Sequence, residues 1–462
     1  GSWTTVNSNA EDAISDFTVS LDQLVGINAA ATLPAGVSAT GGNWRSAKGA
    51  LDAPDAVSLV VAWFGDDLRA GNCAIRPKVE VAQKNTDPAD WEVAGYTRAG
   101  YAWFVQINGV TMRAHYAAPN AFPLPWGVAA SVVSQVSPDL MNPNGAGGSV
   151  AFTGATVPAY GGTPSDGSVV EAIKEIKRRG LRCVFYSFVA MDIPPGNGKP
   201  DPWGGVSQAA FPWRGRITCH PAPGQPGTVD KTAAAATQIA AFFAQYSAMV
   251  THYASLCVSA GGVDAFIIGS ELVGLTQVRS SPGDGTYPAV DALKTLAASV
   301  RAIVGLDCKI GYAADWSEYH SHRPSDGTHD VIFNLDPLWS DSNIDFIGID
   351  NYMPLADWRD SGPNADATGA NAAASIYDKT YLARNVEGGE YFDWHYASAA
   401  DRTAQTRTPI ADTAYGEHWA FRQKDMRNWW LNAHHSRPGG LRNAAATLFT
   451  PGSKPIWFTE FG

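Results

Sequence analysis

Two short runs carry the residues most able to do chemistry. AFIIGSE (Ala265 to Glu271) and PIWFTE (Pro455 to Glu460) are apolar segments that each deliver a glutamate at their C-terminal end. A carboxylate in apolar surroundings must be paired, protonated or put to use. In each run the residues two and four before the glutamate share its face of a strand: Gly269 and Ile267, Phe458 and Ile456. If those faces point into a closed sheet of parallel strands, both carboxylates reach its rim. Counted along the chain, AFIIGSE is expected to be the fourth strand and PIWFTE the seventh. Strands so placed bring their carboxylates to about 5 Å apart. At that separation one carboxylate attacks an anomeric carbon while the other acts as acid, then base. Coupling between the two keeps one protonated near neutral pH.

Other candidates surround this pair. Asp66, Asp192, Asp315 and Asp350 also end strands; each suits a cap or loop anchor, and together they could hold sugar hydroxyls. Sixteen tryptophans are an unusual load. Trp63, Trp316, Trp358 and Trp419 are either core residues or flat platforms for the apolar faces of sugar rings. Ser270 stands directly before Glu271, and His418 lies in GEHW, at an expected cleft edge. Glu271 could instead be a structural ion-pair partner of Arg279 or Arg69. His320, His322 and His329 include an HxH spacing, but no third ligand follows from the sequence, so the segment reads as a polar loop. No metal or cofactor site is assigned. NPNGAGGS reads as a flexible loop, not a phosphate cradle.

The elements that must position these residues repeat one pattern. AVSLVVAWFGDD (56–67) is a strand. SDGSVVEAIKEIKRRG (165–180) is an amphipathic helix, with Ser165 or Asp166 as N-cap and Gly180 as stop, and LRCVFYSFVAMD (181–192) follows as a strand. An Ala-rich helix over 229–257 leads into AFIIGSEL. A helix over 289–305 leads into CKIGYAADWSE, and IDFIGIDNYMP (344–354) precedes the final run. Apolar strands alternating with helices predict α/β architecture with a parallel sheet covered on both faces. Long insertions at 138–164, 193–228, 318–340 and 355–450 follow strand ends, the face on which a (β/α)8 TIM barrel builds its site. AASVVSQV (129–136) is the expected second barrel strand. No GxGxxG or GxxxxGK[ST] follows a strand, which argues against a nucleotide-binding open sheet.

Composition narrows the partners. The chain has 462 residues, 45% hydrophobic and 17% charged, with net charge -11. The longest basic run is KRR at Lys177 to Arg179, so no nucleic-acid surface is expected. No apolar run reaches the roughly 20 residues needed to span a bilayer. No charged segment followed by an apolar one opens the chain, so no signal peptide is read. The five cysteines are scattered, without CxxC, and read as free buried thiols.

The runs IIGSEL, IDFIGIDNYMP and IWFTEFG, in that order, resemble the clan of (β/α)8 glycoside hydrolases with catalytic glutamates after strands four and seven. A closer resemblance is to the glycoside-hydrolase-like TIM-barrel domain of gene transfer agent and phage tail-tip proteins, the host-specificity or baseplate "megatron" proteins. It is carried by VVAWFGDDLRAGNCAIRPKVE, YGGTPSDGSVVEAIKEIKRRGL, MDIPPGNGKPDPWGG, FPWRGRITCHPAPG, VDKTAAAATQIAAFF and GSELVGLTQVR, over roughly 57–462. The resemblance implies a barrel over 56–462, with 1–55 as an N-terminal segment packing on or completing it. It implies Glu271 as general acid/base, Glu460 as nucleophile, and Tyr352 hydrogen-bonded to the nucleophile. The clan has Asn before the acid/base to hold the sugar 2-hydroxyl, where this chain has Ser270. Chitinase-type substrate assistance needs Asp two residues before the Glu, where this chain has Gly269, and is rejected. With PIWFTE as strand seven, an eighth strand is missing. Either the region before Val57 supplies it, the count is off by one, or the chain is a piece of a longer polypeptide, and the resemblance favours the last. The expected function is a retaining glycoside hydrolase acting on a bacterial surface polysaccharide (capsule, lipopolysaccharide or peptidoglycan glycan). It would be extracellular or on a particle tail tip, beside other tail or baseplate subunits. The alternative is a non-catalytic glycan-binding or structural barrel module.

Overall fold

A computed structural model describes residues 56–78, 91–97, 102–107, 110–115, 133–135, 162–193, 195–282, 286–369 and 371–462. The expected N-terminal segment 1–55 and the loop NPNGAGGS lie outside the described residues. The chain divides into two compact units: one runs to Pro282 and again from Tyr287 to Tyr312, the other holds Ala313–Gly462 and 283–286.

The first unit contains β1 (Ala56–Gly65), β2 (Ile75–Arg76), β3 (Glu92–Val93), β4 (Tyr96–Thr97), β5 (Ala102–Ile107), β6 (Val110–His115), β7 (Val133–Gln135), α1 (Asp166–Arg178), β8 (Arg182–Met191), α2 (Ala233–Ser259), β9 (Ala265–Ser270), α3 (Val273–Thr276) and α4 (Pro288–Val304). β10 (Lys309–Asp315) begins in this unit and ends in the other. β1 pairs in parallel with β8 along its whole length, from Ala56↔Arg182 to Gly65↔Met191, and β8 pairs in parallel with β9. The helices form where the patterning predicts. Ser165 caps α1 by accepting the Ser168 N–H at 3.2 Å. α2 starts at Ala233, later than the Ala-rich pattern suggests. Its leading residues are tied elsewhere: Asp230 holds the Arg279 backbone and guanidinium, and Lys231 N–H donates to the Arg279 carbonyl. Ile239, Phe242, Tyr246, Met249 and Tyr253 then form one buried stripe of α2.

AASVVSQV is not a barrel strand among the described residues. Its Val133–Gln135 portion pairs antiparallel with β5 in a separate three-stranded sheet ordered β6-β5-β7. The reason is local. A central parallel strand is apolar on both faces, whereas this run interrupts its valines with Ser131, Ser134 and Gln135. Its partner β5 already pairs antiparallel with β6 across Asn108-Gly109, a strong hairpin signal. The described parallel strands, counted along the chain, therefore make β9 the third, not the fourth.

The second unit contains β11 (Phe346–Asn351), β12 (Trp394–His395), β13 (Thr408–Pro409) and β14 (Ile456–Phe461). β11 and β14 pair in parallel, and β12 pairs antiparallel with β13. β14 is the sixth parallel strand in chain order, so the three-strand separation from β9 is retained. All five cysteines are buried and none is in a disulfide. No described helix is long and apolar enough to cross a membrane.

Candidate functional site

In the first unit, every residue of β9 is buried. Gly269 is required there by close approach: a Cβ would lie 2.5 Å from the Tyr246 hydroxyl, which donates to the Ile268 carbonyl at 2.9 Å. The strand stops at Ser270, and Glu271 turns into the left-handed region with φ 50°. Such a conformation is costly for a residue with a side chain and concentrates at functional or tightly constrained positions. Glu271 is 6% exposed. Its Oε2 pairs with Arg214 Nη2 at 3.0 Å and accepts the Trp213 indole N–H at 2.5 Å. The structural ion-pair partner is therefore Arg214, not Arg279 or Arg69, which pair with Asp230 and Asp67.

Arg214 is itself fixed. It donates to the Ser270 carbonyl and Oγ, and its guanidinium stacks over Phe188 at 3.7 Å. Ser270 Oγ also accepts from the Tyr186 hydroxyl at 2.8 Å, so the residue expected to hold a sugar 2-hydroxyl is buried in an internal network. Asp192 forms a buried ion pair with Lys78 at 2.5 Å. Trp63 is buried and donates its indole N–H to Tyr253, so of its two readings it is a core residue and not an open platform. Asp66 accepts the Ala74 N–H, and burial raises its pKa.

In the second unit, Asp350 and Glu460 stand opposite each other in the β11–β14 register. The register shifts there by one residue on β14, so Thr459 is extra; strict alternation is interrupted and Phe458 does not define the face of Glu460. Thr459 Oγ1 donates to Asp350 Oδ1 at 2.6 Å. Tyr352 Oη donates to Glu460 Oε2 at 2.9 Å. Glu460 is half-buried and Tyr352 exposed. Asp315 anchors its own loop by accepting from Ser317 N–H and Oγ. Trp316 is half-buried against Tyr391, and Trp358 donates to Asp360. His418 accepts the Asp412 N–H through Nδ1.

Trp419 is buried against Phe333 and His434 and offers no open face, so it too is a core residue and not a platform. Of the histidine-containing segment, the HxH pair His320 and His322 is buried, whereas His329 is exposed, so the polar-loop reading holds only for the later part. His320 is buried, its Nε2 set against the Trp419 carbonyl, and burial holds its pKa well below the usual range. The chain between β11 and β14 also lines an open polar cavity of about 450 Å³. Arg407 bridges Asp357 and Asp366 on its wall. Lys424 donates to the Pro354 and Gly388 carbonyls, and burial lowers its pKa to about 8.

Residues 244–462 match the GTA TIM-barrel-like domain. The matched segment contains both strand-end glutamates, Tyr352 and the cavity. The fold is thus α/β with parallel strands and a TIM-barrel-like domain. Among solved structures, the GH113 β-mannanase AaManA from Alicyclobacillus acidocaldarius, in complex with ManMIm, is similar at 20% identity and TM-score 0.27, over 44% of this chain and 48% of that one. A GH113 β-1,4-mannanase is similar at 18% identity and TM-score 0.26, over the same shares. The alignments span about half the length of these mannanases. Comparison with curated protein sequences finds no match.

Sequence reasoning missed Trp213, Arg214 and Tyr186. The signal is FPWRGR, an aromatic-rich turn with two arginines in the insertion after β8.

Proposed function

We propose that this chain is a retaining glycoside hydrolase domain acting on a bacterial surface polysaccharide, carried on the tail tip of a gene transfer agent or phage-like particle. Glu460 attacks the anomeric carbon while Glu271 protonates the departing glycosidic oxygen. Glu271 then takes a proton from a water whose oxygen bonds to the anomeric carbon, breaking the bond to Glu460 and releasing the sugar. Tyr352 orients the nucleophile. The observation that carries the reading is the correspondence of the two glutamates: each sits at the C-terminal end of a parallel strand, three strands apart in chain order, with a donor directed at one carboxylate oxygen. The GTA TIM-barrel-like match supports the particle location.

One observation favours the second reading, a glycan-binding or structural module. The Arg214 ion pair stabilises the charged form of Glu271, as a purely structural partner would. Incubation with isolated capsule, lipopolysaccharide and peptidoglycan tests the two. The hydrolase releases new reducing ends from one of them, with the anomeric configuration retained by NMR. Release from none, with binding intact, leaves the module.

A further inference from the structure

The turn FPWRGR holds two consecutive side chains with opposite fates. Arg214 is 7% exposed and points to Glu271 and Ser270. Trp213, just before the 3-10 turn Arg214–Arg216, is 42% exposed. Exposure of a large indole normally goes with loose attachment, but this ring is fixed at both ends. Its N–H donates to Glu271 Oε2 at 2.5 Å. Its benzo edge rests on Gly215: a Cβ there would lie 2.5 Å from Cη2 and Cζ2. The position therefore has no room for any residue but glycine unless the indole moves. A fixed, partly solvent-facing indole joined to a carboxylate suits a ring with one apolar C–H face and a hydroxylated rim.

We infer that Trp213 is a stacking platform for a pyranose unit of the glycan, and that Gly215 is the seat that aims it. The inference rests on the hydrolase reading in one respect. If Glu271 protonates the departing oxygen, the ring stacked on the indole it holds is the leaving-group sugar.

Calorimetric titration of the full chain carrying Glu460→Gln, with oligosaccharides from capsule, lipopolysaccharide O-antigen and peptidoglycan glycan strands, tests this without cleavage. Adding Trp213→Ala should weaken binding about tenfold or more, since stacking on one aromatic ring contributes on that order. Trp213→Phe keeps a ring but loses the N–H, and should stay within roughly threefold of the parent. Gly215→Ala should reproduce the Trp213→Ala loss with an unchanged circular dichroism spectrum. Equal affinity of Trp213→Ala and the parent overturns the platform, as does a Trp213→Phe loss equal to that of Trp213→Ala. Failure of the parent to bind any of the three probes overturns it too. If wild-type protein cleaves nothing yet Trp213-dependent binding persists, the hydrolase reading fails and the platform stands.

Discussion

β9 and β14 look alike as sequence and differ as structure. AFIIGS is buried at every position and ends on a glutamate that is 6% exposed. IWFTEF has no fully buried residue; Phe458 is 51% exposed and Phe461 81%. The two carboxylates live accordingly. Glu271 is charge-matched by Arg214 and held by Trp213, on a backbone in the left-handed region. Glu460 follows a bulge and meets the hydroxyl of an exposed tyrosine. An apolar run ending in Glu therefore does not specify an electrostatic environment. The depth of the strand does, because desolvation grows with burial and has to be offset by paired donors.

The comparison can be broken most sharply at the glutamates. Glu271→Gln and Glu460→Gln should each cut glycan release by roughly 10² to 10⁴-fold, the range expected for a single acid, base or nucleophile. Binding, measured by calorimetry, should survive in both. Unchanged release in either variant removes that residue from the chemistry.

Arg214→Ala should separate the two regions by stability. It strands a buried carboxylate and should cost about 3–5 kcal/mol in urea unfolding. Tyr352→Phe, removing the hydroxyl that reaches Glu460, should stay within about 0.5 kcal/mol, as exposed surface changes do. Similar losses would mean the two carboxylates are equally dependent on their donors.

Gly269→Ala tests packing behind Glu271. The new methyl meets the Tyr246 hydroxyl, and overpacking of this kind costs about 1–3 kcal/mol. A midpoint equal to wild type would show that β9 has room to shift.

Much of the architecture could be read directly. α1, α4, β1, β8, β9, β10, β11 and β14 form where hydrophobic period, caps and glycine stops place them. Residue type alone misplaces AASVVSQV and the HxH pair and leaves Trp63 undecided; neighbours decide each: an antiparallel partner for the first, a buried carbonyl for His320, the Tyr253 hydroxyl for the indole. Trp213 and Arg214 escape a local reading for the same reason: they lie 58 and 57 residues before the glutamate they contact.

The sequence by itself determined the alternation of helices with apolar parallel strands and the delivery of a glutamate at the ends of β9 and β14. Both are properties of short windows, where periodicity and residue type suffice. Tertiary structure alone decided which carboxylate is buried, which arginine balances it, which tryptophan is left facing solvent and where the β14 register slips. Those outcomes depend on desolvation and on contacts between residues distant in the chain, which no local pattern encodes.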